Sequence, residues 1–204
     1  MGEEPVTARR ARGRPPKAEG LATSQHLLEA AANVCAERGF DSTTLSLIAE
    51  RAGVHPTAIY NHYESREDLL YAAAVRALEQ LTAVAYDSSL GLRSLSGMAA
   101  AYLQPGMHQQ RRIIAELHVA SSRDERLAAL LADWHRTWTN ALLEQLPPSD
   151  PNPRVTVKAL FLVLLGLCHV DDLVAVRAPR AAVIERAERM IDLLVPELRH
   201  DAVG

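Results

Sequence analysis

The stretch from Thr43 to Asp68, TTLSLIAERAGVHPTAIYNHYESRED, decides how the rest of the chain is read. Leu45, Ile48, Ala49 and Ala52 recur at i, i+3, i+4 and i+7, the apolar stripe of a short amphipathic helix. Gly53 follows at once and, lacking a Cβ, can take the left-handed conformation that ends a helix. Val54 returns an apolar side chain toward that helix. His55-Pro56 opens a second helix, with proline at its first position, where the missing N–H costs nothing. Ile59, Tyr60 and Tyr63 supply its apolar side. Ser65-Arg66-Glu67-Asp68 predicts the start of a third helix, with Ser65 as N-cap and Asp68 reaching back. Two short helices about a glycine turn, followed by a long one, are the sequence form of a DNA-reading helix-turn-helix.

Upstream, Thr23 or Ser24 is expected to cap a helix running to about Arg38, with Leu27, Ala31, Val34 and Cys35 as its core stripe. Gly39 ends it and Phe40 packs back over the last turn. Thr43 or Thr44 caps the next helix and should leave hydroxyl and N–H groups facing a phosphate. Residues 1–21 read as a flexible basic arm: Arg9 to Lys17 holds five basic residues and no acid. Within it Arg12-Gly13-Arg14-Pro15 resembles the core of an AT-hook. Glycine permits close approach, proline keeps the backbone extended, and the arginines suit the negative potential of a narrow A·T-rich minor groove. The net charge of the chain is −3, and Ser24 to Ala72 has seven acids against three arginines, so phosphate attraction must come from a few placed groups and from the arm.

From Ser24 to Leu70 the chain resembles the DNA-binding domain of the TetR-type bacterial transcriptional repressors. The resemblance rests on Ala36-Glu37-Arg38-Gly39-Phe40, Thr43-Thr44, Ile48-Ala49-Glu50-Arg51-Ala52-Gly53-Val54, Ile59-Tyr60-Asn61-His62-Tyr63 and Ser65-Arg66-Glu67-Asp68-Leu69-Leu70. It implies an all-α protein of about nine helices: an arm at 1–21, a helix-turn-helix domain at 22–71 and a helical ligand-binding and dimerisation domain at 72–204. In this motif class the recognition helix, here about Pro56 to His62, presents its N-terminal residues to base edges. Thr57 and Ala58 suit a base edge or a thymine methyl. His55 stands where the family often has serine and is a candidate DNA contact in place of a cap. Tyr60, His62 and Arg66 match positions that meet phosphate in the family.

Downstream, the third helix should run to about Tyr86, with a break at 87–91 and a short helix at Leu95 to Leu103. Helices at about Met107 to Ser121 and Asp124 to Leu146 follow. Pro147 to Pro153 is a stiff linker. The next helix, Val155 to about Val176, is apolar nearly all round, so it must be covered on two sides. Pro179 starts the last. The resemblance implies that these two helices, about 154–176 and 179–196, pair with their copies in a homodimer. The middle helices would enclose a pocket, with Met98, Tyr102, Met107, Trp134, Trp138 and Phe161 as walls and Arg111 or His118 as polar anchor, for a mostly apolar effector.

Composition excludes other classes. Hydrophobic residues make up 48% and charged residues 23%, an ordinary globular balance. The longest apolar run, Ala159 to Cys168, is too short to span a membrane, and residues 1–20 carry no secretory apolar stretch. Cys35 and Cys168 read as buried small hydrophobes in a reducing cytoplasm, not as a disulfide or metal pair. His169, Asp171 and Asp172, at i, i+2 and i+3, gather poorly on one helix face, so no metal and no cofactor are expected. No phosphate loop, nucleophile elbow or H-E-x-x-H occurs, which argues against an enzyme. The expectation is a cytoplasmic, nucleoid-associated repressor that binds a palindromic operator and is released by an effector. An architectural DNA-binding protein relying on the AT-hook-like arm is the alternative.

Overall fold

Glycines set two of the first corners. In the computed structural model, which describes residues 17–86, 102–170 and 178–194, helix α1 (Lys17–Arg38) ends at Gly39, whose φ is +82°. Helix α2 (Leu45–Ala52) is capped by Thr44, whose hydroxyl accepts from the Leu47 N–H at 3.3 Å. It stops at Gly53, φ +67°, where the N–H groups of Gly53 and Val54 return to the carbonyls of Glu50 and Ala49. Helix α3 (Pro56–Ile59) is one turn long and α4 (Arg66–Tyr86) is the long connecting helix. A 3₁₀ turn at Pro105–Met107 leads into α5 (His108–Ser121). Asp124 caps α6 (Glu125–Gln145) by accepting from the Arg126 and Leu127 N–H groups. Helices α7 (Pro153–Val170) and α8 (Arg180–Leu194) complete a described architecture that contains no strand.

Three boundaries differ from the sequence expectation. Helix α1 begins at Lys17, so 17–21, expected in the arm, are helical. Ser24 is inside the helix, and its hydroxyl pairs with the Tyr63 hydroxyl at 3.0 Å instead of capping. The recognition helix stops at Ile59, and residues 60–62 form a turn. Helix α7 starts at Pro153, with proline at its first position. The short helix expected at 95–103 lies largely outside the described residues, as do the arm and Met98.

One core runs from the helix-turn-helix into the rest of the chain. Leu27, Ile48, Ile59, Leu69 and Leu81 are fully buried in it and continue into Ile113, Ile114 and Leu117 of α5 and Leu127 and Leu131 of α6. Burial of each large aliphatic side chain contributes about 1.5–3 kcal/mol. A second cluster, Trp138, Leu142, Leu146, Val157, Leu160 and Ile191, joins α6 to α7 and α8. Within one chain α7 is covered on one side only: Val155 and Leu162 are 66% and 63% exposed, and Met190 and Leu193 of α8 are 50% and 80% exposed.

Candidate functional site

The short helix α3 is organised by its cap. His55 has extended backbone, and its Nδ1 accepts from the Thr57 N–H at 3.4 Å and lies 2.9 Å from the Thr57 hydroxyl. The histidine is therefore the N-cap, where the sequence suggests a DNA contact in place of a cap. His55, Thr57 and Tyr60 are exposed, Tyr60 at 59%, while Ala58 and His62 are half-buried. Ile59 is wholly buried and anchors the helix. A short helix so held presents polar tips outward with little of its own surface apolar.

The two threonines before α2 separate cleanly. Thr44 is exposed at the helix N-terminus. Thr43 is fully buried and donates its hydroxyl to the Gly39 carbonyl at 2.7 Å, which turns it away from any phosphate. Arg66 departs from the sequence expectation in the same way. Its Nε donates to the Thr43 carbonyl, and its Nη2 to the carbonyls of Phe40 and, at 3.3 Å, Asp41, while Nη1 pairs with Glu67 at 3.0 Å. The guanidinium is a brace for the α1–α2 turn. Its five donors match carbonyls that no helix satisfies. Arg51 is engaged likewise, bidentate to Glu37 of α1 at 2.8 and 2.6 Å, which holds the Glu37 carboxyl below the usual carboxylate range. Cys35, beneath this turn, is buried, and burial pushes its thiol up to about 11, so it is an inert core residue.

In the C-terminal part an apolar cavity of about 30 Å³ is lined by Tyr102, Ile114, Trp134, Trp138, Leu142, Phe161, Leu164 and Leu165. Four of the residues expected from sequence, Tyr102, Trp134, Trp138 and Phe161, stand on its wall. Met107 packs on the main core instead. Arg111, the expected anchor, is fully buried with its Nη1 donating to the carbonyls of Tyr102 and Gln104, so it fastens the turn before α5 and does not line the cavity. His118 is held by its own helix, with Nδ1 2.8 Å from the Ile114 carbonyl. Its ring lies 5.3 Å from that of His135, which meets Phe161 edge-on at 5.3 Å and lies 5.3 Å from Trp134. Burial, helped by His118 and Lys158, lowers His135 to about 4, so the ring is neutral at pH 7. The wall residues that sequence reasoning missed, Ile114, Leu142, Leu164 and Leu165, are aliphatics that look like any core position. Trp134 donates its indole N–H to the Thr82 hydroxyl of α4 at 3.3 Å, which joins the cavity wall to the connecting helix. Of the residues weighed as metal ligands, Asp171 and Asp172 and the side chain of His169 lie outside the described residues.

An N-terminal helix-turn-helix unit, joined by one long helix to a helical part with its own cavity, defines a DNA-binding regulator of the two-part, all-helical kind. Known proteins narrow the class. Residues 27–73 match the family described as "Bacterial regulatory proteins, tetR family". The regulator UidR of Escherichia coli K12 is 24% identical over 157 residues, 74% of this chain and 80% of its own. The probable acrEF/envCD operon repressor of the same strain is 35% identical over 120 residues, 55% of this chain and 54% of its own. A solved structure from Saccharomonospora viridis, in complex with choline, superposes with a TM-score of 0.68 at 17% identity, covering 87% of this chain and 97% of that one. Residues 27–73 thus carry the DNA-binding domain of the tetR family of bacterial regulatory proteins, and the helical part that follows shares the fold of such regulators.

Proposed function

We propose that this regulator is a repressor: a homodimer that holds a palindromic operator through its two α3 regions and releases it when a small, mostly apolar effector enters the C-terminal cavity. The observation that carries the reading is the pairing of a capped, outward-facing α3 with an uncovered apolar face on α7 and α8. A two-fold dimer through Val155, Leu162, Met190 and Leu193 would set two recognition helices at the spacing of successive major grooves, about 34–36 Å. His55 through its free Nε2, Thr57 and Ala58 would meet base edges, and Thr44, Tyr60 and His62 phosphates. The basic arm, with Arg12 and Arg14, would add salt-sensitive affinity in the minor groove. This activity belongs in the cytoplasm, where operator DNA is.

The cavity supports the effector half of the proposal. Its wall is almost entirely apolar and carries no charged side chain, so the effector is uncharged there or a diffuse cation lying on the rings of Tyr102, Trp134, Trp138 and Phe161. The choline found in the 17% identical structure is of that second kind. The present space of about 30 Å³ holds one water, whereas ligand pockets are about 300–1,000 Å³, so entry must push helices apart. Trp134 would pass that movement to α4 through Thr82. Preference for the arrangement whose recognition helices are misplaced then lowers operator affinity.

The test is operator footprinting and binding by the full-length chain, on its own upstream DNA and on random duplex, across a salt series. Protection of one palindrome by a dimer is the expected result. Equal affinity for both DNAs, lost when residues 1–16 are removed, would replace the repressor reading with the architectural one. Both tryptophans of the chain line the cavity, so quenching of their fluorescence by choline or by uncharged aromatics reports entry directly.

A further inference from the structure

A cleft of about 220 Å³ lies between the DNA-binding unit and the rest of the chain, floored by Phe40, Leu70, Tyr71, Ala120 and Leu127. Arg66, Arg123 and Arg126 stand on its rim with Asp41, Glu67 and Asp124. Three guanidinium groups invite the thought of an anion site, but the charges do not favour one. Asp68 adds a fourth carboxylate by accepting from Arg126 at 2.6 Å, and Asp124 is committed to capping α6. The cluster is satisfied from within.

Its connections are directional. The turn between α5 and α6 sends Arg123 to the Asp41 carboxylate at 2.6 Å, and the first turn of α6 sends Arg126 to Asp68 at 2.6 Å. Asp41 sits in the α1–α2 turn, the turn whose carbonyls Arg66 braces. Asp68 exchanges hydrogen bonds with Ser65 at the start of α4, 2.7 Å from the Ser65 hydroxyl, with its own N–H 3.1 Å from the same oxygen. Arg126 also lies 3.9 Å above the ring of Tyr71, one turn further along α4. The α5–α6 corner of the C-terminal part therefore grips the two segments that flank α2 and α3 on either side in sequence.

We propose that Arg123 and Arg126 form an electrostatic clip that sets the angle at which the helix-turn-helix stands on the C-terminal part. The shared apolar core between α1, α4 and α5 holds the two parts together. The clip, at the exposed edge of that contact, selects one way of packing them over its neighbours. Its consequence for regulation rests on the repressor reading: an effector that moves α5 or α6 must open the clip to reorient α3, and the clip sets how readily that happens.

Amide hydrogen exchange of the full-length protein without DNA tests this, so failure of the repressor reading leaves the measurement intact. Exposed ion pairs and an exposed cation–π contact are individually modest, so Arg123→Glu should speed exchange at residues 40–44 about two- to fivefold. Arg126→Glu should do the same at residues 66–71. The swap Asp41→Arg with Arg123→Glu should return residues 40–44 to the wild-type rate. Reversal of Arg136, whose pair with Asp133 lies within α6, should leave both segments unchanged. Exchange unaltered by either reversal, or a swap that restores nothing, overturns the clip. Global unfolding by a reversal would show as faster exchange everywhere, and the swap then still decides, because Asp41 and Arg123 are both largely exposed.

Discussion

Arg66 shows how one side chain can be misread at the level of single residues. By position it should meet phosphate, yet its guanidinium is occupied by three carbonyls and Glu67. Arg66→Lys should therefore cost about 2–3 kcal/mol in urea unfolding, because an ammonium cannot reach all those acceptors. The slope of operator affinity against salt should stay as in the wild type, whereas loss of a phosphate contact lowers that slope by about one. His135 makes a second prediction. The unfolded chain takes up a proton near pH 6.5, and the folded chain does so only near 4. Acidification across that window therefore favours unfolding, and the stability His135 supplies above pH 6.5 is lost as pH falls toward 4. Solvent at the open edge of the ring limits the effect to about 1–2 kcal/mol. His135→Leu should flatten that part of the stability–pH curve in thermal melts.

Among the elements, α1 and α2 end on the same device in different surroundings. Gly53 has φ +67° and open space where a Cβ would go, so Gly53→Ala should cost about 1 kcal/mol, the left-handed strain alone. Gly39 has φ +82°, and a Cβ there would stand 2.7 Å from the Glu116 carboxylate of α5. Because the atom met is the far end of a flexible side chain that can swing aside, Gly39→Ala should cost only about 0.5 kcal/mol more than Gly53→Ala in chemical unfolding, and Glu116→Ala in the same chain should recover the difference. Both glycines were legible from sequence as helix ends. The clash that separates them was not, because Glu116 lies 77 residues away along the chain. The paired hydroxyls of Thr43 and Thr44 make the same point. Either can cap α2 by spacing, and only packing sends one inward to Gly39.

For the whole molecule, the uncovered face of α7 and α8 is the largest consequence. Four exposed large apolar side chains on adjacent helices are the mark of a surface that meets another. If the proposed dimer forms through this face, Leu162→Glu combined with Leu193→Glu should convert it to monomer in sedimentation. Operator affinity should then fall at least tenfold, because each half-site is left to bind alone. A single α3 unit should keep its fold through that change, since the core of α1 to α4 does not include these residues.

The amino-acid sequence by itself determined the all-helical class, the helix-turn-helix with its glycine corners, and half of the cavity wall. Those features are local: apolar spacing, caps and left-handed turns act within a few residues, and aromatics at helical spacing mark an interior face. Tertiary structure decided where the long polar side chains went. Arg66, Arg111 and Arg126 each carry a charge that a sequence assigns to solvent or ligand, and each is drawn to carbonyls or a carboxylate brought close only by folding. The size of the cavity was also a tertiary matter. Eight apolar walls from four regions of the chain close to within a water's volume, and no spacing along one helix reports the gap between them.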